Sequence, residues 1–201
     1  MQTTENKALA RITRHGRGCV FTPRDFANIG SPHAVLMVLL RLSRQGTIRR
    51  LARGIYDYPE VDPKLGMVSP SAEAVARAAV GRDAARLQPT GAYAANLMGL
   101  SDQVPMRVVF LTDGKGRTVR IGKLDIILKH TTPRNMATAG RTSGLVIQAL
   151  RYLGQRHVDE AVVRKLRSVL SPADKARLLR DLRYAPAWVA AFMRQIAREG
   201  A

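Results

Sequence analysis

Ser31-Pro32-His33-Ala34-Val35-Leu36-Met37-Val38-Leu39-Leu40-Arg41-Leu42-Ser43-Arg44-Gln45-Gly46-Thr47-Ile48-Arg49-Arg50-Leu51-Ala52-Arg53-Gly54-Ile55-Tyr56 is the stretch that decides how the chain is read. Serine followed by proline opens a helix: the hydroxyl accepts a free first-turn N–H, and proline needs no donor at the first helical position. The helix is predicted to run to Arg44 and to stop at Gly46. Two β-prone segments, residues 47–52 and 54–58, then meet at Arg53-Gly54, which reads as a hairpin.

Upstream, residues 5–14 carry Leu9 and Ile12 among polar residues, as a short first helix would, and Gly16 and Gly18 end it. Residues 19–21 are short and apolar enough for a small strand. Thr22, Pro23 and Asp25 then repeat the cap, first-turn proline and first-turn acid of a helix start, for a brief helix over 23–28. The turn Asn28-Ile29-Gly30-Ser31 leads into the longer helix. Helix, short helix, tight turn, longer helix and hairpin, in that order, make a winged helix-turn-helix.

Projected at about 100° per residue, the longer helix predicts Val35, Leu36, Leu39 and Leu40 on the core side. His33, Met37, Arg41 and Arg44 fall on the other side, with no acid among them. The hairpin adds Arg49, Arg50 and Arg53. Arginine's forked donors suit phosphate oxygens and guanine edges. Free N–H groups behind Ser31 suit a phosphate. The candidate DNA-binding residues are therefore Ser31, His33, Arg41, Arg44, Arg49, Arg50 and Arg53, with Arg41 and Arg44 foremost.

The whole chain of 201 residues carries 33 Lys and Arg against 15 Asp and Glu, a formal net charge of +18. The ends are the more basic parts: residues 1–58 and 141–201 each carry net +7, residues 59–140 net +4. A hydrophobic share of 46% supports a packed core and excludes a disordered basic tail. The single cysteine, Cys19, excludes an internal disulfide and a cysteine-built zinc site. No apolar run reaches the roughly 18 residues of a membrane span, and the polar start lacks a secretory signal. The expectation is a soluble, reduced, cytoplasmic protein with a polyanionic partner and no membrane association.

Residues 59–63, proline-bounded and acidic, are the expected boundary, giving a domain over 1–60 and a second over 65–201. Beyond it the sequence predicts a helix from Ser69-Pro70 to Val80, a short strand at 85–88 and a helix over 90–100. Strands follow at 107–111, 118–121 and 124–130, the first two joined as a hairpin through Thr112-Asp113-Gly114-Lys115-Gly116. Helices fill the tail: one from Ser143, one over 159–170, one opened by Ser171-Pro172, and a last from Pro186 presenting Trp188, Val189, Phe192 and Ile196.

No catalytic machinery stands out. The four histidines are scattered without metal-ligand spacing, and the glycines of 113–117 lack the spacing of a phosphate-binding loop. Asp125 sits on a strand without a second acid, Ile127 standing where one would be needed to hold Mg²⁺. Cys19 reads as a small buried residue. No catalytic residue, metal or cofactor is expected.

Residues 41–56 quoted above, Gln88-Pro89-Thr90-Gly91-Ala92-Tyr93-Ala94-Ala95-Asn96-Leu97-Met98-Gly99-Leu100-Ser101, Leu111-Thr112-Asp113-Gly114 and Arg120-Ile121-Gly122 carry a resemblance. Over residues 5–155 the chain resembles the AbiEi-type antitoxins of bacterial abortive-infection, type IV toxin–antitoxin systems. The resemblance implies an α+β architecture. An N-terminal winged helix-turn-helix would precede an α/β antitoxin-type domain with a small antiparallel sheet and a helical C-terminal tail. It implies a repressor that binds the double-stranded operator DNA of its own operon. It also implies an antitoxin that counteracts a nucleotidyltransferase-type toxin without requiring a stable complex. The other reading is a protein-interaction module, docking a partner through the central sheet and C-terminal helices without sequence-specific DNA binding.

Overall fold

The computed structural model describes residues 3–81 and 85–198. Among these, residues 3–81 with 119–122 form one compact unit, and 85–118 with 123–198 a second.

The first unit opens with α1, Thr4–His15, capped by the Thr3 hydroxyl accepting from Asn6 N–H at 3.2 Å. Strand β1 (Val20–Phe21) follows, then a single 3-10 turn, Pro23–Phe26, and α2, Pro32–Arg44. In the turn the Asp25 carboxylate accepts from both the N–H (2.6 Å) and the hydroxyl (2.9 Å) of Thr22. That closure leaves one tight turn where a longer helix over 23–28 was expected. Strands β2 (Arg49–Ala52) and β3 (Ile55–Asp57) make the hairpin, turning at Arg53-Gly54 where Gly54 takes φ +74°. Strand β1 pairs antiparallel with β3, giving the order β1-β3-β2. This is the expected winged helix-turn-helix.

Its core gathers Ala8 and Ile12 from α1, Val35, Val38, Leu39 and Leu42 from α2, and Phe21, Phe26, Ile48 and Tyr56. Phe21 meets Phe26 edge-on at 5.4 Å and stacks on Tyr56 at 6.3 Å. Each large side chain so buried contributes about 1.5–3 kcal/mol. The buried arc of α2 differs from the projection: Leu36 is 39% exposed and Leu40 half-buried, while Val38 and Leu42 are inside. From Ala34 to Leu40 the helix is apolar all round, so packing against α1 and the 3-10 turn selects the arc.

The proline-bounded stretch is not where the units part. Strands β4 (Val61–Asp62) and β5 (Gly66–Met67) form a second small ribbon there. The Asp62 carboxylate ties its turn by accepting from the N–H groups of Lys64 (2.7 Å) and Leu65 (2.8 Å). Helix α3, Ala72–Val80, packs against β1 and β3 and buries Val75 and Ala76. The first unit thus extends well past the expected boundary at 60–65, because α3 packs on its strands β1 and β3.

The second unit comprises β6 (Leu87–Thr90), α4 (Gly91–Leu97), β7 (Arg107–Thr112), β8 (Arg117–Ile121), β9 (Leu124–His130), α5 (Thr142–Leu153), α6 (Glu160–Val169), α7 (Pro172–Arg180) and α8 (Ala187–Ala197). Residues 119–122 at the end of β8 cluster with the first unit. The sheet order is β6-β7-β9-β8. Strand β7 runs antiparallel to β6 but parallel to β9, with Arg107 opposite Asp125 and Thr112 opposite His130. The expected β7–β8 hairpin across 112–116 therefore does not form, and the sheet is mixed rather than antiparallel. The side chains account for it: β9 buries Ile126 and Leu128 and takes an inner place. Strand β8 exposes Arg117 and Arg120 and stands at the edge, where charge is tolerated.

Helix α5 is the centre of the helical tail, buried at Ser143, Gly144 and from Val146 to Leu150, and packed by α4, β6, α7 and α8. Gly144 permits this: a Cβ there would fall on the Gln88 amide oxygen and the Thr138 carbonyl. Leu166, Leu178, Val189, Met193 and Ile196 close the core around it.

Candidate nucleic-acid interface

Helix α2 begins with Ser31, whose hydroxyl accepts from Ala34 N–H at 3.2 Å, so this side chain is engaged as the helix cap. His33 lies exposed in the first turn. One helical face then carries His33, Leu36, Met37 and Arg44, all exposed, with no acid anywhere in the helix. Arg44 has no ion-pair partner among the described residues. Arg41 stands on the flank of this face. Its guanidinium is 2.6 Å from the Glu5 carboxylate of α1, with 59% of the side chain exposed.

The wing divides its arginines. Side chains alternate along a strand, so Arg49 and Arg50 leave β2 on opposite faces. Arg50 is exposed, and Arg53 is exposed at the turn. Arg49 is turned in. Its Nε and one terminal nitrogen donate to the two oxygens of Asp57 at 3.1 and 2.5 Å, and that nitrogen also donates to the Val68 carbonyl at 2.9 Å. Asp57 is 1% exposed, and a carboxylate so buried is costly unless such a partner meets it. The hydrogen bonds to Asp57 push the Arg49 guanidinium above its ordinary value. Arg49 is therefore a clamp within the wing, and the expected phosphate role for it is withdrawn.

What remains facing outward is Arg44 and His33 on the helix, Arg50 and Arg53 on the wing, and Arg41 partly neutralised by Glu5. Leu36 and Met37 (39% and 46% exposed) add an apolar component that the projection missed for Leu36. Arranged this way, a helix face of groove width with flanking guanidiniums offers phosphate contacts at the rim. It also offers methyl-sized apolar contacts at the centre. Other basic side chains are engaged locally: Arg11 donates to Asn28 at 2.6 Å, and Arg17 donates to the Pro59 carbonyl at 2.9 Å and lies over Tyr58.

Elsewhere the chemistry-bearing residues stay apart. Among the described residues no group of three or more His, Cys, Asp or Glu could hold a metal ion. Cys19 is half-buried, and burial pushes its thiol up, away from the nucleophilic thiolate. No helix among the described residues is long and apolar enough to cross a membrane.

Comparison with known proteins places the fold. The crystal structure of the RV2827C protein from Mycobacterium tuberculosis superposes with a TM-score of 0.50 and 16% identity, covering 99% of this chain and 78% of that one. At that identity the likeness speaks for the shared fold. A search of curated proteins finds no match. A family profile described as "Family of unknown function (DUF6088)" matches residues 7–178, spanning the winged helix-turn-helix, the mixed sheet and the helices as far as α7, and the chain belongs to that family.

Proposed function

We propose that the protein is a double-stranded-DNA-binding transcriptional repressor that also serves as an antitoxin. Helix α2 enters the major groove, with Arg44 and Arg41 at base edges or phosphates and His33 beside them. Arg50 and Arg53 of the wing hold the backbone or the adjacent minor groove. The observation that carries this reading is the acid-free outer face of α2 flanked by the exposed wing arginines. The antitoxin part rests on the resemblance over residues 5–155, and its functional partner is a nucleotidyltransferase-type toxin.

The test is a salt series of DNA-binding titrations on a duplex from the promoter of its own operon. With about five phosphate contacts, log K falls against log salt with a slope near −4 to −5. A flat response rules out the electrostatic mechanism. Co-expression with a nucleotidyltransferase-type toxin encoded beside it tests the second half: restored growth supports it, and unrelieved toxicity removes it.

The exposed Leu36 and Met37 favour a second reading, in which α2 docks a partner protein. Promoter DNA and that partner would then compete, and a chain that binds no duplex at low salt would leave only the docking role.

A further inference from the structure

In the second unit an open surface concavity of about 460 Å³ is lined by Arg141, Arg177, Arg180, Asp181 and Arg183, the four arginines all exposed. Four guanidiniums against one carboxylate leave three positive charges in one concavity. The carboxylate is already engaged. Asp181 is 4% exposed and accepts from Arg141 at 2.9 Å and from the Ser143 hydroxyl at 2.5 Å. Among the described residues Arg180 and Arg183 have no ion-pair partner, Arg177 has only the longer-range attraction of Asp174 on its own helix, and Arg183 rests over the Tyr184 ring at 4.9 Å.

Helix-end electrostatics explains only part of this. Arg177 and Arg180 lie in the last turn of α7, where the negative end of the helix favours cations. Arg141 immediately precedes the first turn of α5, the positive end of that helix, where a cation is disfavoured. Arg183 lies beyond α7 altogether, in the 3-10 turn Leu182–Tyr184. Like charges gathered from three elements repel one another, less so in salt because they are exposed, and an anion that joins them turns that repulsion into attraction. The guanidinium fork matches phosphate oxygens in pairs. The volume lies within the range of small-ligand sites, about 300–1,000 Å³.

We propose that this cavity binds a compact polyphosphate: the phosphate chain of a nucleoside triphosphate or a free tripolyphosphate. Arg180, Arg183 and Arg177 grip successive phosphates, and Asp181 holds Arg141 in place at the wall. Among the described residues no aromatic side chain lines the concavity, so the phosphate chain rather than a base is what it recognises. The inference concerns the second unit and does not depend on how the winged helix-turn-helix is used.

Calorimetric titration of the full chain at physiological salt, with tripolyphosphate, ATP, GTP, AMP and inorganic phosphate, tests it. Tripolyphosphate and both triphosphates are expected to bind at least about tenfold tighter than AMP or phosphate. Arg180→Gln with Arg183→Gln is expected to weaken them by about tenfold per guanidinium removed. Arg177→Gln alone gives a smaller loss and serves if the double variant fails to fold. Arg151→Gln with Arg164→Gln removes the same charge from exposed positions outside the cavity and should change little. A triphosphate preferred over tripolyphosphate identifies a nucleotide as the source, and equal binding identifies the bare chain; either supports the site. The proposal is overturned by absent tripolyphosphate binding, by equal losses in the two double variants, or by a cluster whose removal weakens only RNA or duplex binding.

Discussion

Arg49 and Asp57 face each other as direct cross-strand neighbours in the wing, the guanidinium meeting both carboxylate oxygens while the carboxylate is almost wholly out of water. An arginine that reads as part of a basic surface is thus the counter-ion of a buried acid. Replacing it removes a structural partner first. Arg49→Ala leaves the carboxylate buried and unpaired, and a loss of about 3–5 kcal/mol is expected in urea unfolding. Arg49→Met with Asp57→Leu, which removes both charges, should recover most of that loss. A single variant as stable as the parent would contradict the clamp.

Arg44 and Arg50 should behave in the opposite way. Both are exposed and have no ion-pair partner among the described residues, so Arg44→Ala and Arg50→Ala should leave the melting temperature nearly unchanged. Operator affinity should fall by about 1–3 kcal/mol where a base edge is read. Where only a phosphate is held, the salt slope should become shallower by about 0.9. Fluorescence anisotropy at three salt concentrations separates the two cases.

Glu5 holds Arg41 away from full availability. Glu5→Gln removes an exposed pair worth at most about 1 kcal/mol to the fold. It should strengthen duplex binding by a few-fold at low salt, with the gain vanishing at high salt. Unchanged or weaker binding would place Arg41 outside the interface.

Asp113 supplies a pH dependence. Hydrogen bonds from the Arg86 side chain, and then from its backbone N–H, hold this carboxyl below its ordinary value near 3.8. A carboxyl with a lower folded-state value binds fewer protons folded than unfolded. Its stabilisation is therefore complete above the ordinary value and is lost as pH falls through the lowered one. Unfolding followed from pH 6 to pH 2 should show a shallower acid limb in Asp113→Asn than in the parent. Identical limbs would mean that the pair contributes nothing.

Gly144→Ala should be poorly tolerated although alanine favours helices, because the new methyl meets Gln88 and a backbone carbonyl that cannot rotate away. A loss of about 1–3 kcal/mol is expected from overpacking. Gln88→Ala in the same chain should relieve it only partly, since the Thr138 carbonyl remains. Chemical unfolding of the parent and the two variants decides it.

Local chemistry made much of this molecule readable in advance. Ser31, Pro32 and Gly46 bracket α2 because caps act within a turn of the chain, and Arg53-Gly54 marks the wing because only a glycine relaxes there. What could not be read depends on neighbours far along the chain. Leu36 and Leu40 are as apolar as Val38 and Leu42, so residue type cannot say which arc α1 will cover. A two-residue turn at Arg53-Gly54 would set Asp57 opposite Arg50; the irregularity between Arg50 and Ala52 shifts the register by one and brings Arg49 opposite it instead, which the run of arginines gave no sign of. Asp113-Gly114 carries the residues of a hairpin turn, yet β9 takes the place beside β7 because its two buried aliphatics need cover that β8 does not.

The single guanidinium that joins Asp57 to the Val68 carbonyl has a mechanical meaning as well. It rivets the wing to the peptide just ahead of α3, so a single side chain fastens together two stretches of backbone that the second ribbon separates along the chain.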